Sequence, residues 1–232
     1  RNQQMRRDLM ADISHELRTP LAVLRGELEA IQDGVRKFTP DSVTSLQAEV
    51  ATLTKLVNDL HQLSLSDEGA LAYQKRHIDL VSLLEMTAGV FRERFNARGL
   101  SLTLHLPETA ATFGEPDRIM QLFNNLLENS LRYTDTGGGL VIEGTFQHGQ
   151  TVLVFSDSAP GVNDEQLAQL FERFYRAEGS RNRASGGSGL GLSICQNIVA
   201  AHGGTIYAGH SPAGGVSVTV TLPLEDEKQR SV

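Results

Sequence analysis

The segment Ser14-His15-Glu16-Leu17-Arg18-Thr19-Pro20 sets an imidazole, a carboxylate and a hydroxyl on one short stretch of chain. His15 lies two residues from both Ile13 and Leu17. At about 100° per residue this turns it about 200° from the apolar row those two belong to, so it faces solvent and not a core. A plain surface histidine is the bland alternative. The chemical one is nucleophilic: a neutral imidazole attacks well near pH 7, and an adjacent carboxylate such as Glu16 can orient it and take its proton. Pro20 cannot donate to the carbonyl of Glu16, which predicts a helix loosened or kinked one turn after the histidine.

A second set lies on residues 118 to 132. Helical plotting puts Arg118, Gln121, Asn125, Glu128, Asn129 and Arg132 on one side, and Ile119, Leu122, Phe123, Leu126, Leu127 and Leu131 on the other. A solvated face would account for the charges. Two asparagines one turn apart are odd choices there, because Asn is a poor helix former. Neutral amide oxygens suit Mg²⁺, which takes a few protein ligands and fills its octahedron with water and phosphate oxygens. Two glycine loops reinforce a phosphate reading: Asp157-Ser158-Ala159-Pro160-Gly161 after a strand, and Gly186-Gly187-Ser188-Gly189-Leu190-Gly191-Leu192 before an apolar helix. Backbone N–H groups at such loops hold phosphate oxygens. The glycine spacing does not match the dinucleotide fingerprint, and no Gly-Lys-Ser/Thr occurs, which excludes a P-loop. Between the loops, Phe171-Glu172-Arg173-Phe174-Tyr175-Arg176 precedes a Gly/Ser/Asn/Arg-rich stretch. That stretch reads as a lid in which Arg176, Arg181 and Arg183 could meet phosphate charge.

The elements that must carry these groups fall into two textures. Residues 9 to 35 place Leu9, Ile13, Leu17, Leu21, Leu24, Leu28, Ile31 and Val35 at steps of three or four, and Leu46, Val50, Leu53, Val57, Leu60 and Leu63 repeat the pattern after Phe38-Thr39-Pro40-Asp41. This is a helical hairpin over residues 1–66. It is too small to bury two apolar stripes alone, which predicts a homodimeric four-helix bundle. A linker at 67–76, with Gly69 as candidate hinge, leads to strands at 101–106, 140–146, 151–156, 204–208 and 216–222 and helices at 81–97, 116–133 and 188–202. Strands adjacent in sequence favour an α+β sandwich over 77–224, followed by a polar tail at 225–232.

With 232 residues, 40% hydrophobic and 21% charged, the chain is long enough for two domains with real cores. A net charge of −7 argues against nucleic acid as a partner. The single cysteine, Cys195, excludes an intrachain disulfide and reads as a small buried hydrophobe. His61, His77, His105, His148 and His210 show no ligand spacing, and His202-Gly203-Gly204 reads as a helix end capped by Gly203. No apolar run reaches the roughly 18 residues of a membrane span. The chain opens already in a polar helical pattern, which predicts a longer protein upstream.

Together these boxes resemble the bacterial two-component sensor histidine kinases, and most closely their envelope-stress sensors. Residues 14–20 are similar to the family's phosphoacceptor box, 121–133 to its asparagine box, 157–161 to its first glycine box, 171–176 to its phenylalanine box and 186–192 to its second glycine box. Any one match is weak, and five in order are specific. The resemblance implies a dimerisation and histidine-phosphotransfer hairpin followed by an ATP-binding domain of the gyrase, Hsp90, histidine kinase and MutL type. It implies attack by His15 on the γ-phosphate of ATP with Glu16 as base. Asn125 and Asn129 would hold Mg²⁺, and Arg132, Tyr133 and Arg176 would line the nucleotide pocket. Asp157 would accept from the adenine amino group, with Gly161, Gly187, Gly189, Leu190 and Gly191 shaping the loops. Glu16 and Thr19 match the family's phosphatase pattern. The implied partner is the receiver domain of a response regulator, and the implied location is the cytoplasmic side of a bacterial inner membrane, anchored by an N-terminal part. Asn125 stands where the related hydrolysing ATPases carry a glutamate, which favours transfer over hydrolysis. A scaffold that binds its partner without catalysis is the alternative. Ala159 departs from the glycine usual in the first glycine box; a positive φ there would cost alanine about 1–2 kcal/mol, and a loop conformation that alanine tolerates is the better expectation. The expected consequence is weaker or altered nucleotide binding, to be measured against Ala159→Gly.

Overall fold

The computed structural model describes residues 2–67, 73–177 and 187–224. Gly69, Arg181, Arg183, Gly186 and the tail 225–232 lie outside them. The chain divides into two compact units, Arg1–Gly69 and Ala70–Val232.

The first unit is the expected hairpin, α1 (Asn2–Gln32) and α2 (Pro40–Asp67). α1 runs unbroken through Pro20, so the anticipated interruption after His15 is not seen as a break. The apolar stripes turn out to be two rows. Leu56 and Leu63 are each 4% exposed, whereas Val50 and Val57 on α2 are 52% and 54% exposed and Leu21 and Leu28 on α1 are 53% and 54% exposed. The inner row holds the two helices together. The outer residues recur every seven positions on each helix, the spacing of a seam that waits for another helix. The turn is fastened by Glu27, whose Oε1 accepts from Arg36 Nη1 (2.9 Å) and Ser45 Oγ (3.0 Å). Thr39 and Ser42 exchange side-chain-to-backbone hydrogen bonds across the start of α2 (2.9 and 3.3 Å), satisfying N–H groups that a helix start leaves without partners.

The second unit is a two-layer α+β sandwich. The five expected strands form one mixed sheet from β2 (Ser101–His105), β4 (Gly139–Gln147), β5 (Gln150–Ser158), β7 (Gly214–Pro223) and β6 (Thr205–His210), in that order. Only β2 and β4 pair in parallel. Helices α3 (Leu80–Ala97), α4 (Pro116–Tyr133) and α6 (Gly191–Ala201) supply the other layer, with α4 packed between the other two. α4 begins with Pro at its first position, where no intrahelical N–H is needed, and its apolar side is fully buried, Phe123 lying 6.3 Å from the Phe155 ring. Each such aromatic or aliphatic side chain contributes about 1.5–3 kcal/mol. Cys195 is buried as expected.

Three short elements escaped the sequence reading: β1 (Arg76–Asp79) and β3 (Ala111–Gly114), which pair antiparallel, and α5 (Asp164–Gln169). Four residues are too few for an alternation to show. α6 also begins at Gly191 and not at 188, because Gly189 takes φ +70° and holds the preceding loop out of the helix.

His202 closes α6 as anticipated, with Gly203 at φ +73° after it. Its ring does more than terminate a helix. Nδ1 bonds the Ile198 carbonyl (2.7 Å), Nε2 accepts from the Glu115 N–H at the start of α4 (3.1 Å), and the face stacks on Tyr73 with centroids 5.3 Å apart. This pattern requires the neutral Nδ1–H tautomer. Burial holds its pKa below the ordinary histidine value, against the opposing pull of the Ile198 bond. The sign follows: its stabilisation is full above the ordinary value and is lost as pH falls through the lowered one. We expect the melting temperature to fall more steeply below pH 6 in the parent than in His202→Asn; equal slopes would remove the assignment.

Candidate functional site

Asp157 sits at the end of β5, where the pairing with β7 shifts register between Ser156 and Ser158. It is 7% exposed. Oδ1 accepts from the Val216 N–H (2.6 Å) and Oδ2 from the Ser130 hydroxyl (3.2 Å). Burial pushes its carboxyl up to about 6, the two hydrogen bonds pulling the other way. Its charge is therefore lost at a higher pH than that of an ordinary carboxylate. A Cβ on Gly215 would collide with this carboxylate, so the β6–β7 hairpin must pass it as bare backbone. Sequence reasoning found Asp157 and missed Ser130, Gly215 and Val216. Ser130 carried a visible signal, since it follows Leu126 and Leu127 on the apolar side of α4, where a hydroxyl needs a reason.

The first glycine loop is wedged on the same hairpin. A Cβ at Gly161 would stand 2.8 Å from the Gly214 carbonyl oxygen. Ala159 is not among the positive-φ residues. The loop backbone at Ala159 is therefore one that alanine tolerates, and no left-handed strain arises there.

The second glycine loop meets the asparagine helix. Asn125 Nδ2 donates to the Gly191 carbonyl (3.4 Å), and a Cβ at Gly187 would strike the Arg132 guanidinium and approach the Tyr133 hydroxyl. Leu190 is buried at the start of α6, its carbonyl accepting from Ser193 Oγ (2.8 Å). The structure thus brings together Asn125, Arg132, Tyr133 and Gly187–Gly191, with Asn129 half-buried one turn from Asn125 and Asp157 tied to the same helix through Ser130. Phe174 donates its N–H to the Gly189 carbonyl (3.0 Å), so the phenylalanine segment is held against this loop; Arg176, half-buried, follows.

At Gly189 the restriction lies in the backbone itself. Beyond its φ of +70°, a Cβ would lie 2.7 Å from the Phe174 backbone, which no side-chain movement relieves. We expect Gly189→Ala to keep the fold but cut affinity for nucleotide at least about tenfold, the left-handed backbone alone costing about 1–2 kcal/mol. Titration calorimetry checks this, and unchanged affinity would show that the loop is a mere turn.

His15, Glu16 and Thr19 belong to the first unit. His15 is exposed, Glu16 half-buried and Thr19 exposed. The Thr19 hydroxyl donates to the His15 carbonyl one turn earlier (3.4 Å), the usual back-bond of a helical threonine.

Residues 114–226 match the family of histidine kinase-, DNA gyrase B- and HSP90-like ATPases, and residues 5–69 match the His Kinase A (phospho-acceptor) domain. The chain is 72% identical over all 232 residues to the signal transduction histidine-protein kinase BaeS of Escherichia coli (strain K12), of which it spans 50% of the length. Among solved structures it resembles the Acinetobacter baumannii histidine kinase AdeS at TM-score 0.77 and 29% identity, covering 91% of this chain and 98% of that one. It also shares its fold with the histidine kinase ThkA, solved with the response regulator protein TrrA, at TM-score 0.73 and 20% identity over 95% of this chain and 62% of that one. Among the described residues no helix is long and apolar enough to cross a membrane.

Proposed function

Because the chain belongs to the sensor histidine kinases, we propose that it transfers the γ-phosphoryl group of ATP to His15 and then to an aspartate on the receiver domain of a response regulator. The observation that carries this reading is the convergence of the asparagine helix on the second glycine loop, at Asn125–Gly191 and Arg132–Gly187.

The roles follow from the chemistry of each position. Asp157 accepts from the adenine amino group and thereby selects the base by polarity. Gly161, Gly187, Gly189, Leu190 and Gly191 shape the loop backbone around the nucleotide, with Gly161, Gly187 and Gly189 packed too closely on neighbouring protein atoms to take a Cβ, and Arg132, Tyr133 and Arg176 face the nucleotide. Asn125 commits its NH₂ end to Gly191, so the oxygen end of the amide, with that of Asn129, suits Mg²⁺. When bound, the ion supplies neutralisation of phosphate charge. An imidazole nitrogen of His15 forms the new N–P bond as the bond from the γ-phosphorus to the β–γ bridging oxygen breaks; ADP leaves and Glu16 takes the imidazole proton. Thr19 orients water for removal of phosphate from the partner's aspartate.

The outer rows of the hairpin, with Leu21, Leu28, Val50 and Val57 exposed, support a homodimer through residues 1–66. The linker is 67–76 and the ATP-binding domain 77–224. The whole protein, of which this chain is the cytoplasmic catalytic region, is anchored in a bacterial inner membrane. Calorimetric titration with ATP in the presence and absence of Mg²⁺ tests the nucleotide reading: one site per chain with Mg-enhanced affinity is expected, and no binding would leave only the scaffold alternative.

A further inference from the structure

The Arg132 guanidinium is held from two sides, and one of them is anchored on α3, outside the boxes that define the nucleotide pocket. Gly187 of the second glycine loop packs on one side. On the other stands Glu128, one turn earlier on α4, whose Oε1 is 3.7 Å from Arg132 Nη2. The same carboxylate is gripped more closely from α3: Arg94 Nη2 lies 2.8 Å from Oε2 and 3.1 Å from Oε1. Arg94 is itself seated over the Phe91 ring, 4.7 Å from the centroid, and Phe91 is buried in the core. The chain of contact therefore runs from the core through Phe91, Arg94 and Glu128 to Arg132. Below it, Arg98 donates to the carbonyls of Leu131 and Arg132, fixing the last turn of α4 from which Arg132 projects.

The distances decide what Glu128 does. Its short contacts go to Arg94, which neutralises it, and its long contact goes to Arg132. Glu128 thus braces Arg132 without neutralising it, since Glu128, Arg94 and Arg132 together keep one positive charge. A glutamate one turn N-terminal to an arginine is also the favourable order for such a pair on a helix.

We propose that Glu128, backed by Arg94, is a positioning residue for phosphate recognition: it holds the Arg132 guanidinium against the second glycine loop so that its charge meets the phosphate chain of the nucleotide. The inference rests on the reading of Arg132 as a nucleotide-binding residue.

The test is a double-mutant cycle on the full 232-residue chain. Affinities for Mg-ATP, Mg-ADP and adenosine are measured for the parent, Glu128→Gln, Arg132→Gln and the double variant, with melting temperatures recorded alongside. Glu128→Gln is expected to weaken ATP and ADP about threefold to tenfold, the scale of one partly exposed charged contact, and to leave adenosine unchanged. In the Arg132→Gln background the same substitution is expected to have no further effect. Three outcomes would overturn the proposal: ATP affinity unchanged or tightened by Glu128→Gln, adenosine weakened as much as ATP, or the full effect persisting without Arg132. A normal ATP affinity for Arg132→Gln alone would remove the assignment of Arg132 to the nucleotide and this inference with it, whereas a large Arg132 effect with a silent Glu128 would overturn the inference only.

Discussion

Replacing His15 with glutamine is expected to reduce phosphoryl incorporation to background while leaving Mg-ATP affinity within about twofold of the parent; losses on the order of a millionfold accompany removal of a nucleophile. The reason lies in the division of the chain. His15 stands on α1 in the first compact unit, and the residues assigned to nucleotide stand in the second. Glutamine keeps the exposed position polar and helical, so the hairpin has no cause to unfold. The pattern that separates a nucleophile from a surface histidine is therefore loss of labelling with retained binding. Labelling retained in His15→Gln would move the acceptor elsewhere.

Asp157→Asn is expected to act in two opposite directions. One acceptor of the side chain is committed to the Val216 N–H. In asparagine that acceptor must be the amide oxygen, so the NH₂ takes the other position and presents a donor where the carboxylate presented an acceptor. Loss of a charge-assisted hydrogen bond to the adenine amino group is worth about 1.5–3 kcal/mol, so ATP affinity should fall about tenfold to a hundredfold. Discrimination against a base bearing a carbonyl at that position, as in inosine triphosphate, should fall as well. The folded protein without nucleotide should meanwhile gain stability. Burial raises the Asp157 carboxyl to about 6, so ionising it destabilises the fold as pH climbs from the ordinary carboxylate value toward neutrality. Raising the carboxyl from its ordinary value to about 6 corresponds to up to about 3 kcal/mol at pH 7, which asparagine would not suffer. Denaturant unfolding at pH 5 and pH 7 checks the sign: the gap between variant and parent should widen with pH. For the same reason, the parent's affinity for adenine nucleotide should decline as pH is lowered through about 6. A variant that binds ATP normally would reduce Asp157 to a structural role.

Ser130 and Val216 are the groups that hold this carboxylate in place. The carboxylate is kept where folding alone would not choose it, and a hydroxyl and a backbone N–H support it. Neither partner was read from the sequence, for different reasons. Ser130 was legible as a polar residue on an apolar face. Val216 lies 59 positions away from Asp157, and only the bulged pairing of β5 with β7 brings it there, which no local period encodes.

The same contrast runs through the fold. α4 was legible to its ends because Pro116 marks its start and its apolar and polar sides separate cleanly. β1, β3 and α5 were not, being too short for their periods to repeat often enough to stand out. In the hairpin, steps of three and four identified both helices but merged two rows into one stripe. Separating Leu56 and Leu63 from Val50 and Val57 requires knowing where the other helix lies. The turn clasp of Glu27, Arg36 and Ser45 was equally invisible, since its members are 9 and 18 positions apart.

Ala159 is the instructive case among the motifs. A missing glycine argues for weak binding only if the backbone needs left-handed φ, and here it does not. At Gly189 it does, and the Phe174 backbone closes the space besides.

The central claim is that ATP's γ-phosphoryl group comes to rest on the imidazole of His15. Its most direct test is to incubate the chain with Mg²⁺ and ATP labelled in the γ-phosphate, then locate the label by peptide mapping under neutral conditions. The account predicts label on the peptide carrying His15, stable in base and lost in mild acid. Label on a serine, threonine or aspartate peptide, or release of all label as inorganic phosphate with none on the protein, would contradict it.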